Sequence, residues 1–256
     1  MDAIITAAGY GTRLLPATKE IPKEMLPVPF GGSFRPLIQI VFEQLYAKGV
    51  RDFVMVVGRG KRVIEDHFTP DYEFTKKLDG RKRRQAEELE RFYSLIEESS
   101  ITWVNQLAKR GFGDAVLRGE HSVGNDFLVV GADHIPDRLP DMPMHSILVT
   151  RVSDPENYGV AITDSSGRIT AIEEKPRSPK SDVIAMPCYR FDRRIFDELH
   201  RVRPDSSGEI QLTPAIEALI RKGVRFSAVL ANEAYDFGTV EKYTDSYLRL
   251  TGGQHR

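Results

Sequence analysis

Apolar residues along this chain recur in two rhythms. Short runs rich in Val and Ile alternate with longer stretches in which apolar side chains return roughly every three or four positions, the mark of strands alternating with helices. Ala3–Ala8, Phe53–Val57 and Phe127–Gly131 are almost wholly apolar, as strands buried on both faces of a parallel sheet are. Between the first two, Pro36 opens a stretch with Leu37, Ile40, Val41 and Leu45 on one face and Gly49 behind it, which predicts a helix. Strand, helix, strand in that order implies a parallel pair with a right-handed crossover. Gly60–Phe68 predicts a short helix in which His67 packs rather than binds metal, because no partner stands at ligand spacing. Residues 71–100 are charged, yet Leu89, Phe92, Tyr93 and Ile96 keep helical spacing and predict an amphipathic insertion. A short helix is expected from Asp114, after Gly111-Phe112-Gly113.

Further strands are expected at Ile101–Val104, Ser146–Val152, Gly159–Asp164, Ile169–Glu174, Ile184–Phe191 and Val224–Leu230, with Ser165-Ser166-Gly167 as a hairpin turn. Helices are expected at Arg193–Leu199 and Pro214–Lys222, and a last one after a polar turn at Tyr235–Thr239. The pattern predicts an α/β fold: a single domain over residues 1–256 with a mixed sheet, plus a smaller lobe of mostly antiparallel strands from about residue 146.

Composition narrows the function classes. The 256 residues are 41% apolar, enough for one sizeable core. A formal net charge of −1 provides no global attraction to nucleic acid or to an anionic membrane, so any anion site is a local arrangement. The basic run Arg81-Lys82-Arg83-Arg84 is followed at once by Glu87, Glu88 and Glu90, which predicts a self-paired solvated helix. A nucleic-acid patch there would instead give steeply salt-dependent binding. No apolar stretch approaches the length of about 20 residues that a membrane helix needs. Asp2 leads straight into a strand without the basic start of a secretion signal, and a cytoplasmic protein is expected. The single cysteine, Cys188, excludes an internal disulfide and reads as a buried strand thiol.

The chemistry concentrates in ITAAGYGTRLLPATKEIPKEMLP, residues 5–27. Gly9 and Gly11 let backbone approach a ligand closely, and neither a Walker loop nor a dinucleotide fingerprint fits the spacing. Arg13 offers a planar fork and Lys23 a point charge for phosphate oxygens, in a loop stiffened by prolines. Asp133 follows a strand and stands at a carboxyl end, where open α/β sheets bind ligands. Asp133 and Asp236 each suit Mg²⁺, although capping a helix or closing a turn is the commoner use of an Asp so placed. Glu173-Glu174-Lys175-Pro176 reads as a charged strand end or, with Tyr158-Gly159, as a sugar-phosphate contact.

Gly9-Tyr10-Gly11-Thr12-Arg13-Leu14, then Pro22-Lys23-Glu24-Met25-Leu26-Pro27, resembles the N-terminal motif of the sugar-1-phosphate nucleotidylyltransferases, most closely the bacterial-type UTP–glucose-1-phosphate uridylyltransferase branch. The resemblance continues in order through Gln106, Gly111–Ala115, Asp133, Tyr158-Gly159-Val160, Glu174-Lys175-Pro176, Gly208–Thr213 and Asp236 before Gly238. The insertion at 71–100 also resembles that branch. It implies a Rossmann-like, mainly parallel nucleotide-binding part over about 1–145 and a sugar-binding part with a C-terminal helix over about 146–256.

It further implies Mg²⁺-dependent transfer from UTP to glucose 1-phosphate. The pyrimidine and its nucleotide would lie on Ala7, Ala8, Gly9, Gly11, Thr12, Gln106 and Gly111. Arg13 would grip the leaving pyrophosphate and Lys23 the α-phosphate, with Mg²⁺ on Asp133 and Asp236. Lys175 and Tyr158 would hold the sugar phosphate, Glu174 and Gly159 the sugar hydroxyls. The partners implied are a nucleoside triphosphate and a sugar 1-phosphate, within a dimer or tetramer for which the insertion helix is a candidate contact surface. Thymidylyl transfer, another sugar 1-phosphate, and a non-catalytic nucleotide-sugar sensor are the alternatives.

Two positions depart from the family's pattern. The segment between Asp133 and Ser146, broken by Pro136, Pro140 and Pro143, has no room for the helix usual there. Pro187 replaces a Gly before the strand that lines the sugar pocket, which removes a backbone donor and adds bulk. Pro187→Gly is therefore expected to shift the preference among sugar 1-phosphates; equal turnover of glucose 1-phosphate with an unchanged preference would refute this.

Overall fold

The Val- and Ile-rich runs assemble a single nine-stranded sheet in the computed structural model, which describes residues 1–78 and 80–252. Its order is Ser100–Asn105, Asp52–Val57, Asp2–Ala7, Phe127–Gly131, Val183–Phe191, Ser146–Arg151, Phe226–Leu230, Arg168–Glu174 and Gly159–Thr163. The first four are mutually parallel, so their carboxyl ends open on one edge. Val183–Phe191 runs antiparallel to Phe127–Gly131 and turns the sheet from parallel to mainly antiparallel. The expected second lobe thus continues the same sheet instead of standing apart, and one of its pairs, Ser146–Arg151 with Phe226–Leu230, is parallel.

Two apolar layers cover the sheet. Helices Leu37–Ala47 and Arg83–Glu97 pack on one face, and Phe112–Arg118, Arg194–Leu199 and Thr213–Arg221 on the other. Phe42 lies at the heart of the first layer, with ring centroids 4.5 Å from Phe53, 5.2 Å from Phe68 and 5.9 Å from Phe92. The charged insertion therefore is an amphipathic helix docked on the core: Phe92, Tyr93 and Ile96 are buried, while Arg83 pairs with Glu87 at 2.9 Å and Arg84 with Glu88 at 3.3 Å. No helix among the described residues is long and apolar enough to cross a membrane. Cys188 is buried, and burial pushes its thiol up to about 12.

One local reading is corrected, and one element is added. Tyr235–Thr239 is not simply a polar turn: Ala234–Asp236 forms a strand antiparallel to His134–Pro136, burying Tyr235 and Phe237. The pairing partner lies far away in sequence, in the proline-broken segment that forms no helix, so local patterning could not show it. Pro27–Phe30 and Ser33–Pro36 also form a hairpin, closed by Gly31 and Gly32 at φ 61° and 83°. Its prolines obscure the strand signal.

His67 is a packed helix residue, stacked on Phe92 at 5.0 Å. Gln39 gives its amide nitrogen to Glu43 and so turns its oxygen to His67 Nε2, 3.0 Å away. Burial lowers the His67 pKa from 6.5 to about 4. Between those values the unfolded chain binds the proton and the folded chain does not, so stability falls as the pH drops through that window. Relative to His67→Gln, the wild type is expected to lose about 1–3 kcal/mol between pH 6.5 and 4 in urea titrations; parallel curves would refute it.

Candidate active site

The carboxyl ends of the parallel strands deliver Ala7-Ala8-Gly9, Gln106 and Asp133 to one edge of the sheet. A cavity of about 500 Å³ lies there, and every expected site residue except Ala7 lines it. Ala7 is fully buried at the strand end just beneath. A neighbouring cavity of about 580 Å³ shares His134, Tyr158, Asp236 and Lys242, but its own Arg249 and Arg151 are paired with Glu233 and Asp182.

On the phosphate side, Gly11 takes the left-handed conformation at φ 68°, and Thr18 Oγ1 donates to its carbonyl oxygen at 2.7 Å, closing the loop. Lys23 lies across the loop beside Gly9, its Cε 3.6 Å from where a Cβ on that residue would stand, an ordinary packing distance. Among the described residues Arg13 forms no salt bridge and no side-chain hydrogen bond, which leaves its guanidinium free for an anion in the cavity.

Lys23 has a short turn, Lys23–Met25, for its base, and that turn is pinned from below. Glu24 is only 1% exposed, and its carboxylate meets Lys61 Nζ at 2.5 Å. Burial raises the Glu24 pKa and lowers that of Lys61 despite their mutual attraction. A buried pair of this kind fixes position more than it adds stability.

Lys23 itself reaches across to Asp133 and forms an ion pair with it. Burial opposes the charge on Lys23, but Asp133 and Glu24 outweigh it and raise its pKa. Asp133 is desolvated as well, yet Lys23 and His134 hold it well below the usual carboxylate range. His134 stands between the two candidate metal carboxylates, with Nδ1 3.1 Å from Asp133 Oδ1 and Nε2 3.2 Å from Asp236 Oδ1. The second contact is too poorly aligned for a hydrogen bond. Burial disfavours the imidazolium, but the flanking carboxylates raise its pKa to about 10. Asp236 also accepts from Tyr158 Oη at 2.8 Å and faces Lys242 at 3.6 Å; His134 and Tyr158 hold it ionised against its burial.

Asp133 and Asp236 thus form one cluster, with Arg13 and Lys23 on the same cavity. Among the described residues no group of three or more His, Cys, Asp or Glu is arranged as a metal cage.

On the remaining wall, Gly159 adjoins Glu174, whose Oε2 accepts from Thr213 Oγ1 at 2.6 Å. Lys175 is held at φ 42° with its backbone N–H on the Tyr158 carbonyl, so its side chain projects at the cavity rim. Pro187 stands opposite Gly131, where a Cβ would come within 2.9 Å of it. The Gly111–Gly113 turn is tied to the 205–213 loop: Gly113 N–H donates to Ile210 O at 2.8 Å, and a Cβ at Gly111 would sit 2.7 Å from the same oxygen.

The family model for nucleotidyl transferases matches residues 2–252. The chain belongs to the nucleotidyl transferase family. It is 33% identical over 236 residues to the bifunctional protein GlmU of Methanococcus aeolicus, covering 89% of this chain but only half the length of that relative. It is 32% identical over 265 residues to a UTP–glucose-1-phosphate uridylyltransferase of Pseudomonas aeruginosa, covering 95% of this chain and 93% of that one. Among solved structures, a UDP-glucose pyrophosphorylase complexed with UDP-glucose superposes with a TM-score of 0.83 at 27% identity over 99% of each chain. The α/β fold is that of those pyrophosphorylases.

Within this nucleotidyl transferase, sequence reasoning gave no role to His134 or Lys242, quoted Glu24 and Thr213 only as motif positions, and missed Lys61, which supports the site from beneath. His134 adjoins Asp133, and Glu24 adjoins Lys23, so proximity in sequence was a usable signal for both. Lys61, just ahead of the helix Arg62–His67, and Lys242, in the helix Val240–Leu250, are distant in sequence and carried none. Lys61→Met leaves Glu24 buried without its partner and is expected to lower unfolding stability by about 3–5 kcal/mol. The double variant Glu24→Leu, Lys61→Met should recover most of that loss in denaturant titrations; no recovery would show that the pair is not the cause.

Proposed function

We propose that this protein transfers the uridylyl group of UTP to glucose 1-phosphate, releasing pyrophosphate and forming UDP-glucose. The observation that carries the reading is the Lys23–Asp133–His134–Asp236 cluster, set in one cavity with Arg13 and Lys175. Relatives that match nearly the whole chain bear the name of this activity.

The reaction needs no protein nucleophile. A sugar-phosphate oxygen attacks the α-phosphorus in line; the new P–O bond forms as the bond to the β-phosphate bridging oxygen breaks, and pyrophosphate carries away the electron pair. Lys175 orients the attacking phosphate, and Glu174 and Gly159 receive sugar hydroxyls. Lys23 neutralises the α-phosphate and Arg13 grips the departing pyrophosphate. Positioning of this kind contributes about 7–11 kcal/mol in well-oriented systems.

Two ionised carboxylates, Asp133 and Asp236, suit Mg²⁺, which takes one or two carboxylates and completes its shell with water and substrate phosphates. When bound, the ion would supply charge neutralisation across both phosphate groups. The protein is read as cytoplasmic, in keeping with a buried, unpaired Cys188.

Pyrophosphate release, measured with panels of nucleoside triphosphates and sugar 1-phosphates, is expected for UTP with glucose 1-phosphate and only with Mg²⁺ present. Asp133→Ala should lower it by a factor of about 10²–10³ or more. Release with no pair at all would favour a non-catalytic sensor and overturn the reading.

A further inference from the structure

Gln106 has an amide whose two ends have opposite hydrogen-bonding character, so which end faces a ligand decides which base it accepts. Its neighbours settle the orientation. Gln106 Nε2 donates to Asp114 Oδ2 at 2.8 Å and to the Gly111 carbonyl at 3.2 Å. Both partners only accept, because Asp114 is held ionised by Arg118, whose Nη2 lies 2.7 Å from its Oδ1. An amide turned the other way would set its oxygen against a carboxylate and a carbonyl, a repulsion in a site where Gln106 and Asp114 are 4% and 2% exposed. The backbone N–H of Gln106 is fixed too, on Val57 O at 2.8 Å. Among the described residues Gln106 Oε1 accepts no hydrogen bond, yet it is not a sealed unsatisfied atom; it opens onto the cavity that Gln106 lines.

We propose that Asp114 is a positioning residue that sets base selectivity, by locking the Gln106 amide so that only an acceptor faces the nucleotide base. This rests on the reading of Gln106 as the base-facing residue. An acceptor there pairs with the imide N–H that uracil and thymine carry. It opposes the bare ring nitrogen of cytosine, which is itself an acceptor. Asp114 acts through Gln106 and touches no substrate. The device discriminates imide bases from cytosine and is blind to the thymine methyl group.

The test is kcat/KM for UTP, dTTP and CTP with a saturating sugar 1-phosphate in the wild type, Asp114→Ala, Asp114→Asn and Gln106→Ala. In Asp114→Ala the UTP:CTP ratio is expected to fall at least about tenfold while UTP:dTTP moves less than about twofold. Asn offers either an oxygen or an amide, so Asp114→Asn should show a smaller fall of about threefold, and it stands in should the Ala variant not fold. All three triphosphates falling together would mark Asp114 as merely structural and overturn the proposal. An unchanged ratio in both Asp114 variants, with the ratio collapsed in Gln106→Ala, would overturn it while sparing the reading of Gln106. An unchanged ratio in Gln106→Ala itself would remove that reading and the proposal with it.

Discussion

The candidate site depends on how two buried aspartates are kept charged. Asp133 and Asp236 sit where desolvation alone would neutralise them, and His134 between them, Lys23 beside one and Tyr158 beside the other prevent it. The cluster balances its own charge, which lets the buried end of the sheet hold two carboxylates.

That balance requires each charge to be positioned from a different part of the chain. Lys23 is carried by a proline-flanked turn resting on the buried Glu24–Lys61 pair. Asp133 follows a parallel strand, and Asp236 ends a short strand that pairs with His134–Pro136. Lys242 arrives from the C-terminal helix Val240–Leu250. Rigidity comes from strands and buried pairs, while access comes from a few glycines at the points where side chains or backbone cross.

Much of the site was legible because its residues lie in short segments with their own character. The Gly9–Arg13 stretch, the Pro22–Pro27 block, Gly111–Ala115 and Glu174-Lys175 are local patterns, and a loop's ligand-facing groups have to be coded locally. His134 reads as an ordinary polar residue after a strand, and its role exists only because Asp236 pairs with it from another strand. Asp114 reads as the first acidic residue of a helix, where a carboxylate is common; its contact with Gln106 appears only when the Gly111 turn folds back on the strand end.

By itself, then, the chain's pattern determined the strand and helix alternation, the amphipathic insertion and the segments that line the candidate cavity, because burial periodicity and glycine or proline geometry act over a few positions. Tertiary structure alone decided three things: that the antiparallel strands extend one sheet, that Asp236 lies on a strand opposite His134, and that buried charges meet in pairs such as Glu24 with Lys61. Strand pairing and ion pairing join residues of large sequence separation through geometry and desolvation. Neither leaves a periodic trace in the segments that it connects.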